Sequence, residues 1–148
     1  MFEIESKNQD EIIITTKKTT IKFNVNSETI DAGLAIGKIK GPGEFEIGDA
    51  TIRGILTVSG KTIYDVEIGG VHVGILGGIE ENLDDIVADI ICTSSIRAIR
   101  EIEPKLIISM GNVDAMVSEL KLSARSEKKL KVKSLDTLPT TKEVVVLS

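Results

Sequence analysis

Aromatic side chains are nearly missing from this chain: Phe, Tyr and Trp together make up 3% of its 148 residues, and tryptophan is absent. The interior must therefore be filled by aliphatic side chains, and the isoleucines and valines that dominate them favour extended strands. Histidine is scarcer still, with His72 the sole copy. A catalytic zinc centre usually takes three protein ligands, drawn mostly from histidine and completed by Asp, Glu or Cys. One imidazole excludes the ordinary form of that centre. One cysteine, Cys92, excludes an intramolecular disulfide. Positive charge is not in excess either, since the net charge is −5 and the pI about 5.0, which argues against binding to nucleic acid or an anionic membrane. No apolar run approaches the roughly 20 residues of a membrane-spanning helix. The opening "MFEIESKNQD" also lacks the basic-then-apolar layout of a signal peptide. Together these absences describe a soluble, cytoplasmic protein with no nucleic-acid or membrane partner.

What is present is a single domain, residues 1–148, with 41% hydrophobic residues. Its first half reads as successive strands: "FEIES", "DEIIITT", "TTIKFNV", "GEFEIG", "ATIRGILTV", "KTIYDVEI" and "VHVGIL". Gly69-Gly70 between the last two suits a type I′ hairpin turn, in which both central residues need φ > 0. Along "TIYDVEI" polar and apolar residues alternate, giving one wet and one dry face. After residue 80 the period changes. "ADIICTS" and "KLIISM" read as buried strands. "SSIRAIREIEP" reads as a helix with Ile96, Ile99 and Ile102 on one face, Ser94 or Ser95 as N-cap and Pro104 just past its end. "NVDAMVSELKL" reads as a second helix presenting Val113, Met116, Val117 and Leu120, with Asn112 as cap; "KLKVKS" and "EVVVLS" close the chain as strands. Alternating strands and helices predict parallel pairing, and the whole predicts an α/β (α+β) architecture in which two helices cover one sheet face.

Several stretches invite a chemical reading. "GILGG" before "IEENLDD" resembles a phosphate cradle over Gly74–Gly78. However, it lacks the dinucleotide fingerprint and a following Lys-Ser/Thr, and the acids after it repel phosphate. Glu80, Glu81, Asp84, Asp85 and Asp89 are oxygen donors suited to a hard cation, though not at EF-hand spacing; acids also suit the first turn of a helix. Cys92 near a helix start is a candidate thiolate nucleophile with His72 as its one available base, but "ADIIC" has the pattern of a buried strand, where an inert cysteine is usual. His72 alternates with Val71 and Val73, so it points away from whatever they pack on. Lys129, Lys131 and Lys133 share one face opposite Leu130 and Val132, as expected of a protected edge strand.

"KGPGEFEIGDATIRGI" resembles the GPGEYE-type turn and following strand of small metallo-β-lactamase-fold hydrolases, the metal-dependent branch that includes ascorbate-phosphate-lactonase-like proteins. The resemblance continues in order through "TIYDVEIGGVHVGILGGI", "ADIICTSS", "IREIEPKLIISMGN" and "DTLPTTKEVVVLS", covering about residues 39 to 148. It implies a two-sheet sandwich with outer helices, here truncated, with a strand-rich N-terminal half and a βαβαβ C-terminal half. The family's His-x-His-x-Asp-His loop would fall in "NSETIDAGLAIGKIK", which has no histidine. Its His-Leu-Gly-Asp segment reads Ile75-Leu76-Gly77-Gly78 here, and its last histidine falls at Gly111. The resemblance thus identifies Ile75, Gly78 and Gly111 as degenerate ligand positions.

These readings predict a catalytically inactive relative without metal or other cofactor, acting by binding or self-assembly. Shortening of the fold is expected to leave apolar sheet surface uncovered, so a homo-oligomer, foremost a dimer, is expected, with Ile47, Ile52, Ile55 and Val58 as core or interface positions. Two alternatives remain: a hydrolase with an atypical mononuclear site using His72, Cys92, Asp84 or Asp85, and a regulatory module binding a small anion near Gly74–Gly78.

Overall fold

The structure, a computed structural model describing residues 1–148, is a two-sheet sandwich with both helices on one outer side. Six antiparallel strands form the first sheet: β1 (Phe2–Asn8), β2 (Glu11–Thr16), β3 (Thr20–Asn24), β4 (Thr29–Asp31), β5 (Ile39–Lys40) and β13 (Leu130–Val132), in the order β13-β1-β2-β3-β4-β5. The second sheet holds β6 (Gly43–Ile47), β7 (Ala50–Leu56), β8 (Thr62–Ile68), β9 (Val71–Gly77), β10 (Ile90–Thr93), β11 (Leu106–Ser109), β12 (Ala124–Glu127) and β14 (Glu143–Leu147), in the order β12-β14-β11-β10-β9-β8-β7-β6. Pairing within it is antiparallel from β6 to β9 and parallel from β9 through β14 to β12. Helices α1 (Ile96–Ile102) and α2 (Val113–Leu120) lie against the parallel half.

The period-two pattern decides which face each side chain meets. On β9, Val71, Val73 and Ile75 point between the sheets, and Leu76 points to the helices. The inter-sheet core is the larger, with 25 buried residues against 10 beneath the helices, so sheet-on-sheet burial is the main hydrophobic support of the fold. Gly69 and Gly70 have φ of 57° and 81°, as a type I′ turn between β8 and β9 requires. Ser95 caps α1: its Oγ accepts from the Ala98 N–H at 3.0 Å. The chain leaves that helix through Glu103 in the left-handed region, just before Pro104.

Four expectations need correction. Asn112 stands at the N-cap of α2, but with φ 66° its side chain makes no capping bond. The polar face of β8 is not wholly wet, because Ile63 on that face is buried under the helices. Val58 is 86% exposed, whereas Ile47 and Ile52 are core. The outer face of the six-stranded sheet is polar rather than bare apolar surface, with Glu3, Glu5, Thr15, Lys22 and Lys131 along it. Strands β4, β5 and β12 are additions that no apolar pattern announced. No helix is long and apolar enough to cross a membrane.

Candidate functional site

Two regions gather the residues singled out above. The first is the end of the sandwich where β9, β10 and β11 terminate and the β1–β2 turn approaches them. In open α/β sheets, ligands bind beyond the carboxyl ends of parallel strands. Gly77 adopts φ 59°, and a Cβ there would lie 3.0 Å from Val25 Cγ2. Next to it, a Cβ on Gly78 would stand 3.4 Å from Ser94 Oγ, and one on Gly111 (φ 131°) would stand 3.7 Å from the Gln9 amide and 3.8 Å from Ser94 Cβ. Thr93 Oγ1 donates to the Gly77 carbonyl at 2.8 Å, and Asn112 Nδ2 donates to the Ser94 carbonyl at 3.5 Å. A cavity of about 340 Å³ opens beside them, with Gln9, Ser109, Gly111, Asn112 and the chain end at Ser148 among its walls.

Gly78 and Gly111 therefore do come together at this edge, and Ile75 does not. Ile75 is fully buried between the sheets, because its place two residues before Gly77 points it inward. Ser94, Gln9 and Asn112, which sequence reasoning missed as site residues, bring one hydroxyl and two amides, and Lys7, Asn8 and Ser109 line the cavity with the two amides. Zinc takes imidazole, thiolate or carboxylate ligands, and none of these six is such a donor. Of the nearby carboxylates, Glu80 accepts a hydrogen bond from Ser95 Oγ, and Asp10 lines a separate cavity with Gly78. The donor set at this edge does not fit a zinc ion.

The acids after Gly78 are spread among local tasks. Glu81 accepts from the Ser59 N–H and Oγ, at 3.1 and 2.5 Å, and these bonds hold its carboxyl below the usual range. Asp85, exposed at the end of the short helical turn Leu83–Asp85, accepts from Asn82 Nδ2 at 3.0 Å; Asp84 is exposed beside it and Leu83 is buried. Asp89 Oδ2 accepts from the His72 backbone N–H at 2.9 Å. No three His, Cys, Asp or Glu side chains converge as a metal-holding group. Nor does Gly74 line a phosphate cradle: it sits within β9, where a Cβ would press on Ile86 at 3.2 Å and Ala88 at 3.3 Å.

The second region is the outer face of β7, β8 and β9, beyond the cover of the helices. The two-residue hairpin sets Glu67 opposite His72, and β7 sets Arg53 opposite Asp65. His72 Nδ1 lies 3.2 Å from Asp65 Oδ1 and Nε2 lies 3.1 Å from Glu67 Oε2, while Arg53 Nη2 reaches Asp65 Oδ2 at 3.5 Å and the Asp85 carbonyl at 2.8 Å. Asp65 is nearly buried, its side chain 11% exposed, and His72 is 35% exposed. Thr51 and Val87 complete a cavity of about 340 Å³. The register signal for Glu67 was already in Gly69-Gly70, whereas Arg53 needed the β7 pairing.

Cys92 belongs to neither region. It faces the inter-sheet core with no exposure, and burial pushes its thiol well up from the ordinary value. His72 occupies the opposite face of the same sheet, so the two cannot form a thiolate–imidazole pair.

No protein-family model matches the chain, and no curated protein matches it. Its fold is matched by the crystal structure of a Thermotoga maritima protein assigned to the zinc-dependent hydrolases of the metallo-β-lactamase superfamily. The match has a TM-score of 0.70, covers 99% of both chains and has 16% sequence identity. At that identity the likeness speaks for the fold, which is metallo-β-lactamase-like, and leaves the chemistry to the side chains.

Proposed function

We propose that this protein is a non-hydrolytic relative of the metallo-β-lactamase fold that works as a binding module through the strand-end edge. One observation carries the reading: Gly78, Ser94, Gly111, Asn112 and Gln9 meet there, and they offer hydroxyl, amide and bare backbone instead of imidazole and carboxylate. Metal-assisted hydrolysis depends on a bound ion to bring the pKa of water near 7. Groups of this kind hold a ligand by hydrogen bonds without activating water. Assays with ester, lactone and phosphodiester substrates in buffers supplemented with zinc, manganese or iron test it. The reading expects no turnover above buffer, and turnover abolished by EDTA would overturn it.

Self-association and a cytoplasmic location are part of the same proposal. Leu56 and Val58, 55% and 86% exposed on either side of buried Thr57 at the end of β7, favour a second copy as partner. Light scattering at micromolar concentration should find a dimer, and a monomer would count against that half of the proposal.

A further inference from the structure

We propose that His72 and Glu67 form an exchangeable site for a borderline divalent ion such as Zn²⁺, on the outer face of β8 and β9 and apart from the strand-end edge. The 3.1 Å between Nε2 and Oε2 is the separation expected of two donors each about 2.1 Å from one ion at an angle of roughly 95°. Imidazole with carboxylate is a donor pair for zinc, nickel or copper rather than for calcium or magnesium.

The surroundings complete an arrangement that metal-binding histidines repeatedly use, in which the second ring nitrogen donates to a carboxylate. Asp65 Oδ1 meets Nδ1 at 3.2 Å, while Arg53 on its other oxygen holds that carboxylate in place. Asp89 anchors the backbone of the same residue through its N–H at 2.9 Å. The ring is thus oriented with Nε2 turned toward Glu67 over a cavity that Thr51 and Val87 leave open to water. Two protein donors, not three, converge on the ion's position, so water fills the remaining coordination. That makes the site an exchangeable one and not a structural clamp. His72 and Glu67 are 35% and 47% exposed, so loss of this donor pair leaves the fold intact.

Because His72 is the only histidine, its ring resonances are unambiguous. Untagged, ¹⁵N-labelled protein titrated with ZnCl₂ should show the His72 Nε2 resonance moving while Nδ1 keeps its proton, with calorimetry giving one ion per chain. Glu67→Gln should weaken binding tenfold or more, and His72→Ala should abolish it. Asp65→Asn, a change at a positioning residue, should weaken it about 10-fold to 100-fold; if that variant does not fold, the wild-type titration and Glu67→Gln still decide. Ring resonances unmoved by excess Zn²⁺, or calorimetry for His72→Ala matching the wild type, would overturn the proposal. Neither result bears on hydrolysis at the strand-end edge, so the two readings fail separately.

Discussion

The two polar regions of this sandwich differ in kind. At the strand-end edge, Gly111, Ser109, Asn8, Gln9 and Asn112 line a cavity together with Lys7, and no ion pair crosses it. On the outer face of β7–β9, an imidazole stands between two carboxylates, one of them held by an arginine. The sole histidine lies on β9 five residues before Gly77, about 16 Å away along an extended strand. Both regions open on cavities of about 340 Å³, but imidazole and carboxylate side chains gather only at the outer face. A shared scaffold transmits strand ends and turns to its relatives; it does not transmit the donors placed on them.

The contrast can be broken most strongly at Ile75. If it packs the core rather than serving the edge, Ile75→Ala should cost about 2–5 kcal/mol in urea unfolding, and a loss below about 1 kcal/mol would return it to the edge. Next is Tyr64, buried in the inter-sheet core with its hydroxyl unpartnered and its pKa raised to about 12, first by burial and then by Glu28. A phenol whose folded pKa is raised contributes stability present below pH 10. That stability is lost as the unfolded tyrosine ionises between pH 10 and about 12, amounting to roughly 2–3 kcal/mol. Tyr64→Phe should lack that decline and be neutral or slightly stabilising at pH 7. Tyr64 is the one tyrosine, so phenolate absorbance follows it directly.

Smaller effects sharpen the edge itself. Gly111→Ala, at φ 131°, should cost about 1–3 kcal/mol, whereas Gly78→Ala, exposed and meeting only Ser94 Oγ at 3.4 Å, should stay within about 0.5 kcal/mol. Equal costs would mean that the two glycines are not held differently. A last test away from the glycines is Ser95→Ala. Loss of the α1 cap and of the Glu80 partner should lower stability by about 1 kcal/mol in thermal melts, and a larger loss would give Glu80 a role beyond the cap.

Much of this architecture was legible beforehand because it follows from local chemistry. Gly69-Gly70 announced the hairpin, Ser94 or Ser95 and Pro104 bracketed α1 (the structure uses Ser95), and alternation around His72 gave the face it occupies. Strand β12, "ARSE", was not legible: three of its four residues are exposed, so no apolar period marks it, and its pairing with β14 is a tertiary decision. That Gly78 and Gly111 carry no donor side chain is plain in the sequence. That Ile75 faces inward could have been read from Val71, Val73 and Ile75 sharing a face. The meeting of Ser94, Gln9 and Asn112 could not, since three separate turns bring them together. Likewise the outer face of the six-stranded sheet is mostly polar, because its alternate positions carry Glu, Thr and Lys around Ile13, so the apolar surface proposed for self-association lies instead at Leu56 and Val58.

The central claim is that the strand-end edge holds no catalytic metal, and elemental analysis of untagged His72→Ala protein purified without chelator tests it most directly. That variant removes the one imidazole while leaving every edge residue in place. The account predicts far less than one co-purified transition-metal ion per chain. One tightly held zinc, iron or manganese ion per chain would contradict it.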